Sequence, residues 1–172
     1  MKNDRNESEY KLKFESLIEQ DFTFEREVEG IFLVDGSAVR IDYLIYAKPH
    51  LQDRGFTDEP IGVEVKVPED KGNRMVKVAW QAITYSQSEF KGKRPPFILI
   101  YPGLNSFTAS KHKKEGLVLL TSLLPKSNVG TIEFRTNGSW KIYSTGVNYF
   151  DSIRGLSPAP NGLLKRYIGS WS

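Results

Sequence analysis

Apolar and polar positions divide the chain into alternating helical and extended segments. Tyr10, Phe14, Leu17 and Ile18 recur at helical spacing, so residues 8 to 20 read as an amphipathic helix. Residues 22 to 34, "FTFEREVEGIFLV", read as a strand with a bulge or bend at Gly30. "DGS" at 35 to 37 carries hairpin turn chemistry, and "AVRIDYLIYA" at 38 to 47 is apolar on both faces, as an interior strand is. A polar loop is expected over 48 to 60. Ile61, Val63, Val65 and Val67 then alternate with Gly62, Glu64 and Lys66, the two-residue period of a strand. After the breaker "PEDKGN", residues 74 to 90 read as a helix with Val76, Ala79, Trp80 and Ile83 on its apolar stripe. "PFILIYPG" at 96 to 103 reads as a buried strand, 110 to 124 as a helix, and 129 to 144 as a hairpin turning at Asn137-Gly138. Residues 151 to 172 form a tail with a loop at "SPAPNG" and a short terminal helix.

The resulting order, α-β-β-β-α-β-α-β-β, predicts an α/β fold: a mixed β-sheet flanked by helices, with a C-terminal β-hairpin. The unit from 61 to 101 is expected to be a right-handed parallel crossover. A chain of 172 residues suits one domain, with its core over about 8 to 150. No apolar run approaches the ~20 residues of a membrane span, and the N-terminus is polar without a signal-peptide core, so a cytoplasmic protein is expected.

The absence of cysteine excludes disulfides, Cys-zinc sites and Cys-ligated iron–sulfur clusters. His50 and His112 are far apart, which leaves a metal site to carboxylates and hence to Mg²⁺, Mn²⁺ or Ca²⁺. The net charge is only +3, but basic residues gather in "FKGKRPP" (90 to 96), "SKHKKEG" (110 to 116) and "LLKRY" (163 to 167). Such clusters hold phosphate backbones or form solvated loops.

Asp42 lies in the middle of "RIDYLI", where a carboxylate is costly to bury unless it is paired or binds a cation. Strand period puts Glu64 and Lys66 on one face of the following strand. If the two strands are neighbours, Asp42 and Glu64 converge on a hard cation, with Lys66 one pleat repeat along. Gln81 and Tyr85, four apart, share a helix face.

Asp42 in "RID", Glu64-Val65-Lys66 and the pair Gln81 and Tyr85 in "WQAITYS" follow one another in an order that resembles the PD-(D/E)XK nuclease superfamily. The last pair is similar to the QxxxY motif of its RecB-like branch. Ile41 stands where the signature has proline. The resemblance covers about residues 8 to 101 and implies a restriction-endonuclease-like core. It further implies Mg²⁺ or Mn²⁺ on Asp42, Glu64 and Val65. Lys66 would act on the nucleophile or the transition state, Gln81 and Tyr85 on the substrate side. Glu15 is the candidate for the acidic residue that many members add from the first helix. The implied function is metal-dependent hydrolysis of DNA, exo- or endonucleolytic, on a branched or single-stranded substrate, by a monomer or homodimer, in a phage or mobile-element setting among others. A Holliday-junction-resolvase-like endonuclease, a non-cleaving nucleic-acid-binding protein of the same fold and an unrelated α/β interaction protein are the alternatives.

Overall fold

The computed structural model describes residues 2–67, 74–103, 127–144 and 147–156. Helix α1 (Lys2–Ile18) leads into β1 (Phe22–Phe32), which turns back into β2 (Ala38–Ala47). That turn forms as expected: Phe32 donates its N–H to Ser37 O, Asp35 Oδ1 accepts the Ser37 N–H, and Gly36 takes φ +76°. A helical turn, α2 (Pro49–Gln52), interrupts the expected loop before β3 (Ile61–Val65). Then come α3 (Arg74–Ser86), β4 (Ser88–Phe90), β5 (Ile98–Tyr101), β6 (Val129–Phe134), β7 (Trp140–Ser144), β8 (Val147–Asp151) and β9 (Gly155–Leu156).

These strands form a mixed nine-stranded sheet in the order β4-β1-β2-β3-β5-β6-β7-β8-β9. β3, β5 and β6 run parallel, and the outer pairings are antiparallel. The parallel β3–β5 pair straddles α3, as the 61 to 101 unit requires. α1 covers one sheet face through Phe14 and Ile18 against Tyr43, Ile45, Val63 and Tyr101. α3 covers the other through Val78, Ala79, Ala82 and Tyr85 against Ile41, Leu44, Ile98 and Ile100. Among the described residues no helix is long and apolar enough to cross a membrane.

Several elements depart from the pattern. The helix expected to 90 ends at Ser86, because Thr84 O accepts both the Gln87 N–H and the Ser88 hydroxyl and turns the chain into β4. Trp80, expected on the apolar stripe, is 64% exposed; Ala79 and Ile83 pack inward as expected, joined by Val78 and Ala82. Gly30 is neither bulge nor bend. It pairs with Val39 and Phe90, and a Cβ there would lie 2.4 Å from Glu89 O. The 129 to 144 hairpin forms, but Asn137-Gly138 do not make a two-residue turn. Gly138 N–H donates to Arg135 O and Arg135 N–H to Ser139 O, with Gly138 at φ +80° closing a longer loop. β8 and β9 lie in and beside the expected tail. The helix expected at 110 to 124 and the tail from 157 lie outside the described residues.

A local reversal in the β1–β2 hairpin positions the site. Phe22 and Phe24 pack on the α1 face, yet Val28, two full strand periods after Phe24, packs on the α3 face. Across the hairpin Tyr43 and Ile45 face α1 while Ile41 faces α3. The register runs from Arg26↔Tyr43 to Val28↔Ile41 without a slip. The reversal therefore falls at Glu27 and Asp42, and Glu27 adopts φ +49°, a left-handed conformation uncommon outside glycine.

Candidate functional site

The β2–β3 register pairs Tyr43 with Val63, so the next step brings Asp42 to the level of Glu64. Both side chains are buried, Asp42 at 8% and Glu64 at 2% exposure. Asp42 Oδ2 accepts the Val65 N–H at 2.8 Å, which ties the carboxylate to β3 through the main chain. Glu64 Oε1 lies 2.9 Å from Lys66 Nζ. Lys66 has left the strand ladder, but its N–H still donates to Tyr101 O at 2.8 Å, so its backbone stays anchored to β5. Asp42, Glu64 and Lys66 are thus assembled as the alternation of "IGVEVKV" suggests.

Burial pushes the Glu64 carboxyl up to about 7, the charge of Asp42 pushes the same way, and Lys66 opposes both. Burial alone would depress the Lys66 ammonium; the charge and hydrogen bond of Glu64 outweigh it, with smaller contributions from Asp42 and Glu7. The two partners do not mirror each other. Lys66 has three carboxylates in its favour, whereas Glu64 faces both burial and a like charge.

Tyr85 approaches from α3. Its hydroxyl donates to Arg40 O at 2.8 Å, and its phenol is pushed up by burial first and then by the fields of Glu64 and Asp42. Gln81, one turn earlier and half-buried, lines a groove of about 340 Å³ with Arg40, Trp80, Thr84 and Tyr85. Val65 buries its side chain in the α1-side core, so only its main chain reaches the carboxylates.

Glu15 is not brought to this pair. Its carboxylate takes Arg26 Nε at 2.7 Å and the Tyr43 hydroxyl at 2.8 Å, and Arg26 holds its pKa below the ordinary range. One turn earlier on the same helix, Lys11 reaches the site instead. Lys11 Nζ lies 2.6 Å from Asp42 Oδ1, 2.6 Å from Glu27 Oε1 and 3.8 Å from Glu7 Oε1. Arg40 Nε binds the other Glu27 oxygen at 3.0 Å. Sequence reasoning missed Lys11, Glu27 and Arg40. The helical spacing that singled out Glu15 was the available signal for Lys11, but the end of α1 that meets β2 is a tertiary fact.

The basic segment 90 to 96 is partly engaged within the chain: Lys91 pairs with Glu25, and Arg94 donates to Ser86 O. The segments at 110 to 116 and 163 to 167 lie outside the described residues. Among the described residues no group of three or more His, Cys, Asp or Glu side chains gathers as a metal cluster. No protein-family model, curated protein or solved structure matches this chain.

Proposed function

We propose that the protein is a metal-dependent nuclease of the PD-(D/E)XK type, hydrolysing phosphodiester bonds of DNA on a restriction-endonuclease-like core. The observation that carries this reading is the burial of Asp42 and Glu64 side by side, with Lys66 on Glu64. Two carboxylates in a low-dielectric position repel each other, and the arrangement is costly unless a cation joins them. The donors are all hard oxygens, which fits Mg²⁺ or Mn²⁺ rather than zinc. Two carboxylates suffice, because Mg²⁺ commonly completes its shell with water and substrate phosphate oxygens.

Asp42 and Glu64 would hold the ion, with the Val65 main chain beside them. When bound, the ion supplies Lewis acidity toward a phosphodiester. Lys66 keeps its proton and offers a fixed positive charge where the pentavalent transition state becomes more negative. Gln81, on the groove wall, orients the substrate backbone, and Tyr85 holds α3 against β2 through Arg40 O. The substrate would be DNA, branched or single-stranded, cleaved internally or from an end, by one chain or a homodimer in the cytoplasm. A purified sample assayed with Mg²⁺ or Mn²⁺ against linear, circular, single-stranded and branched DNA tests the reading. Metal-dependent cleavage lost in Asp42→Asn and Lys66→Ala supports it; no cleavage of any of these substrates overturns it.

A second reading has one observation in its favour. Both Asp42 oxygens already have partners, Lys11 and the Val65 N–H, as in a structural carboxylate. A non-cleaving nucleic-acid-binding protein of the same fold would retain DNA in a salt-dependent way without turnover.

A further inference from the structure

Lys11 occupies the place a cation bound to Asp42 would need. We propose that Lys11 is the built-in counter-ion of the acidic pair: it holds Asp42 while no divalent ion is bound and must leave Asp42 Oδ1 for one to enter. This rests on the reading of Asp42 and Glu64 as a metal site, and it adds a residue that neither the motif nor the strand period contains.

The geometry gives the ammonium two places to be. Lys11 Nζ is 2.6 Å from Asp42 Oδ1 and equally 2.6 Å from Glu27 Oε1, with Glu7 Oε1 at 3.8 Å. If Asp42 turns to a divalent ion, Lys11 keeps Glu27 and stays partnered. An isolated half-buried ammonium would be costly; one that moves between two carboxylates is not. Glu27 stands on that side because of its left-handed backbone at the level of Asp42, and Arg40 fixes its second oxygen at 3.0 Å. The strained residue and the competing lysine thus belong to one arrangement spanning α1, β1 and β2. Lys66, by contrast, contacts Glu64, so the two lysines divide the two acids between them.

Competition has a measurable sign. Removing Lys11 should raise divalent affinity and lower the stability of the metal-free protein. A residue that merely supports the site should lower both. Isothermal titration with Mn²⁺ alone, on the full chain in metal-free buffer, is the test, with thermal melts of the same samples. Lys11→Met is expected to bind Mn²⁺ about tenfold more tightly than wild type, the scale of removing one competing charge at contact distance in a half-buried site. Lys11→Arg, which keeps a cation against Asp42, should bind within about threefold of wild type and keep its melting temperature. Lys13→Met removes a neighbouring exposed lysine of the same helix and controls for general charge; its Mn²⁺ affinity should be unchanged.

If Asp42→Asn binds Mn²⁺ as tightly as wild type, the metal site itself is wrong and this proposal falls with it. If Asp42→Asn loses Mn²⁺ but Lys11→Met binds no more tightly than wild type, the metal site stands and the counter-ion role is overturned. It is equally overturned if Lys13→Met raises affinity as much as Lys11→Met does. Should Lys11→Met fail to fold, Lys11→Gln, which keeps a polar side chain toward Glu27, is titrated in its place with the same expected direction.

Discussion

Lys66 is the residue at which chemistry and stability separate most cleanly. Its ammonium lies on a buried glutamate, so Lys66→Ala leaves Glu64 beside Asp42 with less compensation. Glu64 then holds its proton to higher pH, and metal binding at neutral pH weakens as a consequence. If the charge acts mainly in the transition state, turnover should fall by about 10²-fold or more while affinity for DNA changes far less. Single-turnover cleavage at saturating Mn²⁺, set beside a DNA-binding isotherm of each variant, separates the two effects. A rate for Lys66→Ala equal to wild type would make Lys66 a structural partner of Glu64 only. Lys66→Arg keeps the charge but not the compact ammonium, and should recover binding more than rate. At this scale Asp42, Glu64 and Lys66 were legible because a strand's two-residue period is local. Lys11 and Glu27 were not: one depends on how α1 crosses β2, the other on a backbone angle that no side-chain pattern announces.

Strands and helices were readable where apolar periodicity was strong and misread where a turn overruled it. The β1–β2 hairpin, β3 and β5 follow the alternation, and α3 follows its 3.6-residue stripe except that Trp80 faces solvent. β4 was hidden because "SEF" continues a helical pattern, while Thr84 O and the edge of β1 draw it away. Gly30 is what allows that edge strand to approach. A Cβ at Gly30 would lie 2.4 Å from Glu89 O and 2.5 Å from the Phe90 ring, so β4 must shift. At Gly62 a Cβ would meet Ile98 Cδ1 at 2.5 Å and Ile41 Cδ1 at 2.6 Å, both at the ends of side chains that can change rotamer. Both alanine substitutions are expected to destabilise, by about 1–3 kcal/mol as over-packing usually does, with Gly30→Ala the worse of the two. Chemical denaturation of both variants checks the order. Gly62→Ala losing more stability than Gly30→Ala would mean that β4 is too weakly held to resist.

Across the whole molecule the carboxylates fall into two groups with opposite pH behaviour. Glu15 and Asp151 have arginine partners, Glu25 a lysine and Asp35 the Ser37 hydroxyl and N–H; all are held below their ordinary pKa. Such groups stabilise the fold above about pH 4.5 and lose that contribution as the pH falls further. Glu64 is raised, from 4.5 unfolded to about 7 folded, so its contribution has the other sign. The folded, metal-free protein binds the Glu64 proton more tightly than the unfolded chain does. Stability from this group is complete below about pH 4.5 and is lost as the pH rises toward 7, by on the order of 3 kcal/mol for a shift of this size. Metal-free protein is therefore expected to melt at a lower temperature at pH 7.5 than at pH 5.5, since Glu64 loses its proton over that interval. Glu64→Gln, which never ionises, should flatten that slope. Millimolar Mg²⁺ should raise the melting temperature of wild type at pH 7.5 and much less at pH 5.5, because the ion must displace the Glu64 proton at the lower pH. Melting curves of both proteins at the two pH values, with EDTA or with Mg²⁺, give all of these quantities. A wild-type slope identical to that of Glu64→Gln would mean that Glu64 is ionised throughout, with Lys66 and Lys11 already supplying the pair's full neutralisation.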